Sequence, residues 1–347
     1  MNALPDGPQR PVTLRDVAAA AGVSATTVSH VVNEKPGVRI GHDTRERVHA
    51  VVRQLGYRPN TMAKNLVTGG SRFLGLIADA IATTPFAGQI IHGAQDEAWR
   101  QGYVLLIANT EGDEAAETEA ITMMLGHQVR GILYSTWYHR AVQPPEALRE
   151  TDYVLVNCFA PDRTDARAVV PDEVAGGRDA AQMLLEAGHR RIGFINTTTP
   201  SPARSGRLAG YKQALTEAGV AFDPSLVVDA RSDQTGGYAA LGQLLDAGVT
   251  GVFCHNDRVA MGAYDALRER GVDVPGEFSV VGFDNQEVIA AFLRPPLTTV
   301  ALPHYELGRL SVRVLLGLDR VRDVHPLLVD CPRVLRSSCA ARSPAHA

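Results

Sequence analysis

Cysteine is scarce, with Cys158, Cys254, Cys331 and Cys339 spread over 347 residues, no CxxC pair and no histidines grouped at zinc-ligand spacing. That excludes a disulfide framework and a structural zinc site, and the four read as reduced, structural thiols. Long apolar runs are also missing. Val104–Ala108 and Val154–Val156 are among the longest, and both are far short of the roughly 20 residues that cross a bilayer. The first eleven residues carry Pro5, Asp6, Pro8 and Pro11 without the apolar core of an export signal, so a cytoplasmic location is expected and a membrane partner is not. Catalytic signatures are equally thin. There is no GxxxxGK[ST], GxSxG or HExxH, and no nucleophile stands beside its base. His189, beside Arg190 and Arg191 where a helix ends, reads as a helix-dipole contact. The expectation is a protein that is not an enzyme and takes no cofactor and no metal.

What is present is a chain long enough for two or three domains, 45% hydrophobic, with charge divided unevenly along it. Residues 1–72 hold ten Lys or Arg against five acids, a net +5; because the whole chain is −4, the remaining 275 residues carry −9. A small basic head on a large acidic body points to a polyanion-binding module joined to something else.

Periodicity predicts three short helices in the head. Leu14, Val17, Ala18 and Ala21 follow the spacing of one buried helical face, with Thr13 as N-cap. Gly22 breaks that helix, Ser24 caps the next, and Val28, Val31 and Val32 give the second its buried side. Asp43 and Glu46 form a capping-box start for a third helix carrying Val48, Val51, Val52 and Leu55, closed near Gly56. Two helices joined by a turn of about three residues, with small residues where they cross, meet the helix-turn-helix requirement. Any other three-helix domain would share this spacing; the basic charge favours the DNA-binding one.

From Arg72 onward, short apolar strands alternate with amphipathic helices. The strands begin with Phe73–Ala78, Val104–Asn109, Gly131–Ser135 and Tyr153–Asn157, and continue through Ile192–Asn196, Leu226–Asp229, Gly251–His255 and Ser279–Phe283. Helices are expected at Phe86–Gln101, Glu114–Gly126, Gly176–Ala187, Arg207–Ala218, Gly236–Ala247, Val259–Arg270 and His304–Leu316. Such alternation means parallel sheets covered on both faces, an α/β core of two similar lobes with a break near 162–175.

At this point particular residues carry a resemblance. Val12-Thr13-Leu14-Arg15-Asp16-Val17-Ala18 and Ala21–Asn33, then Thr44-Arg45-Glu46-Arg47-Val48, Leu55–Asn60 and Ala63–Leu66, resemble the headpiece of the lactose-repressor family of transcriptional regulators. In the body, Gly188–Gly193, Gly206–Gly210, Val281–Asn285 and Pro296–Val300 look like the same family's ligand-binding core. The resemblance runs from about residue 12 to about residue 338. It implies an all-α helix-turn-helix headpiece at 12–58, a hinge helix and linker at 59–71, and a periplasmic-binding-protein-like core of two parallel-sheet lobes at 72–338, with tails at 1–11 and 339–347. It also implies double-stranded operator DNA, a small-molecule effector and a second copy of the chain as partners. Two heads on a two-fold axis read a palindrome and multiply affinity, so a homodimer is expected. No leucine heptads follow Ser338, so a coiled-coil tetramer is not.

The site residues follow from this. A helix in the major groove reads bases near its N-terminal end, here with Ala25, Thr26 and His30, while Thr27 and Ser29 reach phosphates. Thr13, Ser24 and Asn33 complete the expected headpiece contacts. Val23–Asn33 is similar to the purine-responsive branch of the family, histidine included, which implies a related operator half-site. Pro59–Leu66 resembles the hinge that turns helical on operator DNA, with Asn60 as N-cap, Ala63 facing the DNA and Leu66 as a minor-groove wedge; packing of Leu66 against the core is the alternative. The effector cleft is expected between the lobes at strand C-terminal ends. The resemblance assigns Arg207 as ligand clamp, Asp284 as accepting carboxylate and Asn256 as pocket amide, with Asp257 capping the helix that follows. Phe86 and Phe253 are candidate apolar walls and Trp137 a stacking ring; a structural salt bridge for Arg207 and Asp284, and plain packing for the aromatics, remain open.

Three departures qualify the resemblance. The connection Val38–Thr44 is about two residues longer than usual, which puts its phosphate contact in doubt but not the fold. Ser201 and Ala203 stand where the purine branch has polar purine-binding residues, so a sugar is expected rather than a purine. Pro171-Asp172 replaces the Asp-Asn that many relatives carry before the paired glycines, here Gly176-Gly177.

Overall fold

The computed structural model describes residues 10, 12–35, 37–57, 71–80, 87–163, 165–318 and 326–341. The chain divides into two compact units, Met1–Ser71 and Arg72–Ala347.

The first unit contains α1 (Leu14–Ala21), α2 (Ala25–Val32) and α3 (His42–Leu55). Thr13 caps α1 in a capping box with Asp16, and Gly22, at φ +65°, ends the helix in the left-handed conformation that glycine tolerates. Ser24 caps α2 by accepting from the Thr27 N–H at 3.0 Å. The third helix starts differently from its expected capping box. It begins at His42 behind Gly41, without a side-chain cap, so Asp43 is a first-turn acid and not the cap. Among the described residues, Val17, Ala18, Ala21, Val28, Val31 and Val48 form the buried core. Each valine stabilises by roughly 1.5–3 kcal/mol. Arg47 donates through Nε to the Ala21 carbonyl at 3.0 Å, tying α3 to the end of α1.

The second unit holds two six-stranded sheets. The first runs β11-β5-β4-β3-β1-β2, from β1 (Phe73–Ala78), β2 (Val104–Asn109), β3 (Ile132–Ala141), β4 (Tyr153–Phe159), β5 (Ala168–Pro171) and β11 (Leu327–Val329), all parallel. The second runs β12-β10-β9-β8-β6-β7, from β6 (Ile192–Thr197), β7 (Val227–Ala230), β8 (Gly251–Cys254), β9 (Ser279–Asp284), β10 (Thr298–Ala301) and β12 (Arg333–Val334), parallel except for β12. Helices α4 (Gly88–Arg100), α5 (Glu114–Gly126) and α10 (His304–Leu315) cover the first sheet; α6 (Glu173–Glu186), α7 (Pro202–Glu217), α8 (Gln234–Asp246) and α9 (Asp257–Glu269) cover the second. Each sheet is apolar on both faces. Ile192 and Phe194 pack to one side and Ile195 to the other, the period-2 alternation of a strand buried on both sides.

The lobes are interleaved more than the pattern of elements suggested. The chain crosses between them at 171–173, returns at 301–304 and crosses again at 329–333, so α10 and β11 belong to the first lobe. Local periodicity identifies an element but not its partner, which is why this return was not foreseen. Helices α6, α7 and α9 also begin two to five residues earlier than expected. Each starts directly behind its cap, Asp172, Ser201 or Asn256, ahead of the first residue that the apolar spacing marked.

Candidate functional site

In the headpiece, α2 presents its polar side outward. Thr26 and Asn33 are exposed, and Ala25, Thr27, Ser29 and His30 are half-buried. Part of this surface is committed locally. Thr13 is engaged with Asp16, Ser24 Oγ lies 2.9 Å from Thr27 Oγ1, and Asn33 donates through Nδ2 to the Ser29 carbonyl at 2.9 Å. Of the two candidate base readers, Thr26 is exposed and His30 half-buried on α2. Asn60, Ala63 and Leu66 fall outside the described residues, as does Phe86.

In the core, both sheets reverse their strand order where β1 meets β3 and where β6 meets β8. Loops at the C-terminal ends of such strands diverge and leave a crevice. A cavity of about 300 Å³ opens there, lined by Trp137, Tyr138 and His139 from β3, Asn157 from β4, Thr197, Thr199 and Ser201 after β6, Ser232 after β7, His255 and Asn256 after β8, and Asp284 at the end of β9. Glu173 and His304 reach it from two of the three crossings.

The centre is Arg207, 3% exposed on α7. Its Nε donates to Glu173 Oε2 at 2.8 Å, its Nη1 donates to the His255 carbonyl and faces Asp284 Oδ1 at 3.6 Å, and its guanidinium carbon lies 3.6 Å from the centre of the Phe283 ring. Close backbone packing puts it there. A Cβ on Gly177 would fall 2.5 Å from the Arg207 Cα, and one on Gly210 would fall 2.1 Å from the Val174 carbonyl oxygen, so α6 and α7 touch backbone to backbone and Arg207 meets Glu173.

The electrostatics follow from burial and pairing. Burial works against the Glu173 charge, but Arg207 and His139 beside it bring its carboxyl down to about 2. Asp284 is pushed up to about 6 by burial despite Arg207 and Gln286. His255 is held well below the ordinary histidine value by burial and by Arg207, and burial lowers His304 to about 4. Asp284 and Asn285 both have positive φ, +96° and +54°, and Asn157 has +58°. Strain of this kind in non-glycine residues gathers at ligand sites.

Arg207, Asp284, Asn256 and Trp137 thus share one cavity. Asn256 is also the N-cap of α9, accepting from the Val259 N–H at 2.8 Å. Trp137 is 38% exposed, with its backbone N–H held by Asp79 at 2.9 Å. Two expectations are corrected. Phe253 is fully buried, stacked on Phe194 with ring centres 4.4 Å apart, because in the middle of a strand covered on both faces a side chain points off the sheet into the helix layer and away from the cleft. Asp257 does not cap α9. It is the first helical residue, fully buried, accepting from the Gln286 N–H at 2.6 Å and the Thr299 hydroxyl at 2.8 Å. Sequence reasoning missed Glu173, His139, Asn157, Ser232, His255 and His304. The one available signal was an acid just ahead of Gly176-Gly177.

Comparisons with known proteins fit this geometry. Residues 13–60 match the model of bacterial regulatory proteins of the lacI family, and residues 181–339 match that of the periplasmic binding protein-like domain. The chain is 33% identical to the ribose operon repressor of Haemophilus influenzae over 94% of its own length and 98% of that protein's. The chain belongs to the lacI family of bacterial regulatory proteins. Another lacI-family relative, the transcriptional repressor CytR of Escherichia coli K12, is 35% identical over 95% of this chain and 96% of that one. Among solved structures, the chain is similar to the lac repressor dimer bound to operator and the anti-inducer ONPF, at 29% identity and a TM-score of 0.77, covering 96% of this chain and all of the other. It is also similar to the CelR–cellobiose complex, at 30% identity and a TM-score of 0.61, covering 95% of this chain and all of that one. This lacI-family chain is therefore a transcriptional regulator with a helix-turn-helix headpiece and a periplasmic-binding-protein-like core. Among the described residues, no helix is long and apolar enough to cross a membrane.

Proposed function

We propose that this protein is a cytoplasmic repressor that binds a palindromic operator as a homodimer and loses operator affinity when a small polyhydroxylated effector, a sugar or a close relative of one, fills the cleft between its lobes. The observation that supports this most is the cleft itself: a buried Arg207 oriented by two carboxylates, ringed by the hydroxyls of Thr197, Thr199, Ser201 and Ser232 and faced by the half-exposed ring of Trp137. Vicinal hydroxyls suit such a wall, and an aromatic face suits a sugar ring.

On the DNA side, Ala25, Thr26 and His30 read base edges, and Ser29 contacts phosphate with Ser24, Thr27 and Asn33 supporting the helix. The hinge at 59–71 places Leu66 in the minor groove; a Leu66→Ala variant with unchanged operator affinity and DNA bending would count against that role. Dimerisation is supported by apolar surface in the core unit. Val104 and Ile107 are exposed on β2, which has no neighbour on its outer side, and Val288 and Phe292 are exposed after β9, 73% and 68%. Effector binding changes the lobe angle and with it the pairing of the two hinges.

The deciding experiment selects DNA from a palindromic library with the purified protein at fixed salt, with and without a panel of sugars and purines. One enriched palindrome whose affinity falls with one sugar is expected. Sequence-independent, salt-sensitive DNA binding alongside tight ligand binding would point instead to a solute-binding or sensor role.

A further inference from the structure

We infer that the cleft takes a neutral polyol and rejects the phosphate ester of that polyol, because the cation at its deep end is already matched by carboxylates. The inference rests on the effector reading above and narrows the chemistry of the ligand.

Recognition of a phosphate by arginine needs a free guanidinium fork. In Arg207 two of the three nitrogens are already engaged: Nε donates to Glu173 at 2.8 Å and Nη1 to the His255 carbonyl, with Asp284 3.6 Å from Nη1. The pair Glu173 and Arg207 is 5% and 3% exposed, so water screens little of this. Two of the cavity's histidines add no compensating charge. His255 and His304 are kept neutral by burial, and His139 already faces Glu173 at 3.5 Å. Arg258 also borders the cavity, but it is exposed and donates to Gln286 Oε1 at 3.4 Å. A phosphate monoester would bring a charge of about −1.5 to −2 to a wall whose two arginines are already matched by Glu173 and Asp284. Such a charge loses its hydration without gaining an unmatched cation.

The rest of the wall is neutral. Thr197, Thr199, Ser201 and Ser232 offer hydroxyls, Asn157 and Asn256 amides, and Trp137 a ring. The buried Nδ1 of His255 has no hydrogen-bond partner, which leaves one directional bond for a ligand hydroxyl.

The test is calorimetric titration of the full-length protein with matched pairs: ribose and ribose 5-phosphate, glucose and glucose 6-phosphate, adenosine and adenosine 5′-monophosphate. At least one free compound should bind, and its ester should bind at least about a hundredfold more weakly, a ratio that needs no variant to fold. Glu173→Gln keeps an acceptor for Arg207 while removing one charge, and should narrow the ratio by about tenfold. An ester that binds as tightly as its parent, or more tightly, overturns the inference while leaving the cleft as the effector site. If neither member of any pair binds to protein that still holds its operator, the polyol reading of the cleft falls, and this inference falls with it.

Discussion

Thr26 on the headpiece is exposed to solvent, whereas Arg207 in the core is 3% exposed, hydrogen-bonded to Glu173 and the His255 carbonyl and faced by Asp284 before any ligand arrives. The same contrast runs through both units. Among the described residues, the headpiece buries six small side chains and keeps its candidate DNA-reading residue Thr26 on the outside. The core places its candidate ligand groups inside the fold, on the first turns of helices that are themselves packed backbone to backbone. A surface reader can change its partner at little cost to folding. A buried network cannot, because each member is also holding another in place.

The largest expected effect sharpens this directly. Arg207→Ala leaves Glu173 buried without its partner, and should cost the core unit about 3–5 kcal/mol together with all effector response, read by denaturant unfolding and ligand titration of one sample. Next, Thr26→Ala and His30→Ala should each weaken the specific operator by about 1–3 kcal/mol in competition binding. Neither should shift the unfolding midpoint, and a matching loss of headpiece stability would break the comparison. Smaller again, Thr13→Ala and Ser24→Ala remove helix caps and should each lower headpiece stability by about 1 kcal/mol, measured by thermal melting followed by circular dichroism.

A pH profile bears on the core unit alone. Glu173 titrates near 2 in the folded chain and near 4.5 unfolded, so its contribution is present above about 4.5 and fades as pH falls toward 2. Asp284 runs the other way. Its folded value of about 6 lies above the unfolded 3.8, so the native state holds the extra proton and stability declines as pH rises between those values. Core stability should therefore crest near pH 4–5 from these two groups, and Asp284→Asn should flatten the descending side.

The two units also differ in how far their sequence could be read. The caps Thr13 and Ser24 were visible because a cap and the backbone N–H that donates to it lie within four residues. The strand and helix alternation of the core was visible for the same reason. The ligand cluster was only half visible: Arg207, Asp284, Asn256 and Trp137 came from resemblance and strand ends, but Glu173 lies 34 residues from the arginine it orients. That pairing depends on α6 and α7 touching at Gly177 and Gly210, and a glycine in a sequence does not say which backbone it will meet. Phe253 misled for a complementary reason. Its neighbours marked the right strand, but the face it points from depends on whether the sheet is covered on both sides.

The return of the chain into the first lobe governs how this molecule is made. Ile90, Ala94 and Ala98 on α4 pack with Leu307, Val312 and Leu315 of α10 in one cluster, and β11 completes the edge beside β5. About 130 residues separate β5 from α10 along the chain, on the order of ten seconds of synthesis. Throughout that interval most of the second lobe is made while the first waits with one flank of α4 uncovered. The lobe that starts first on the ribosome closes only after most of its neighbour has emerged, and β12 then completes the second.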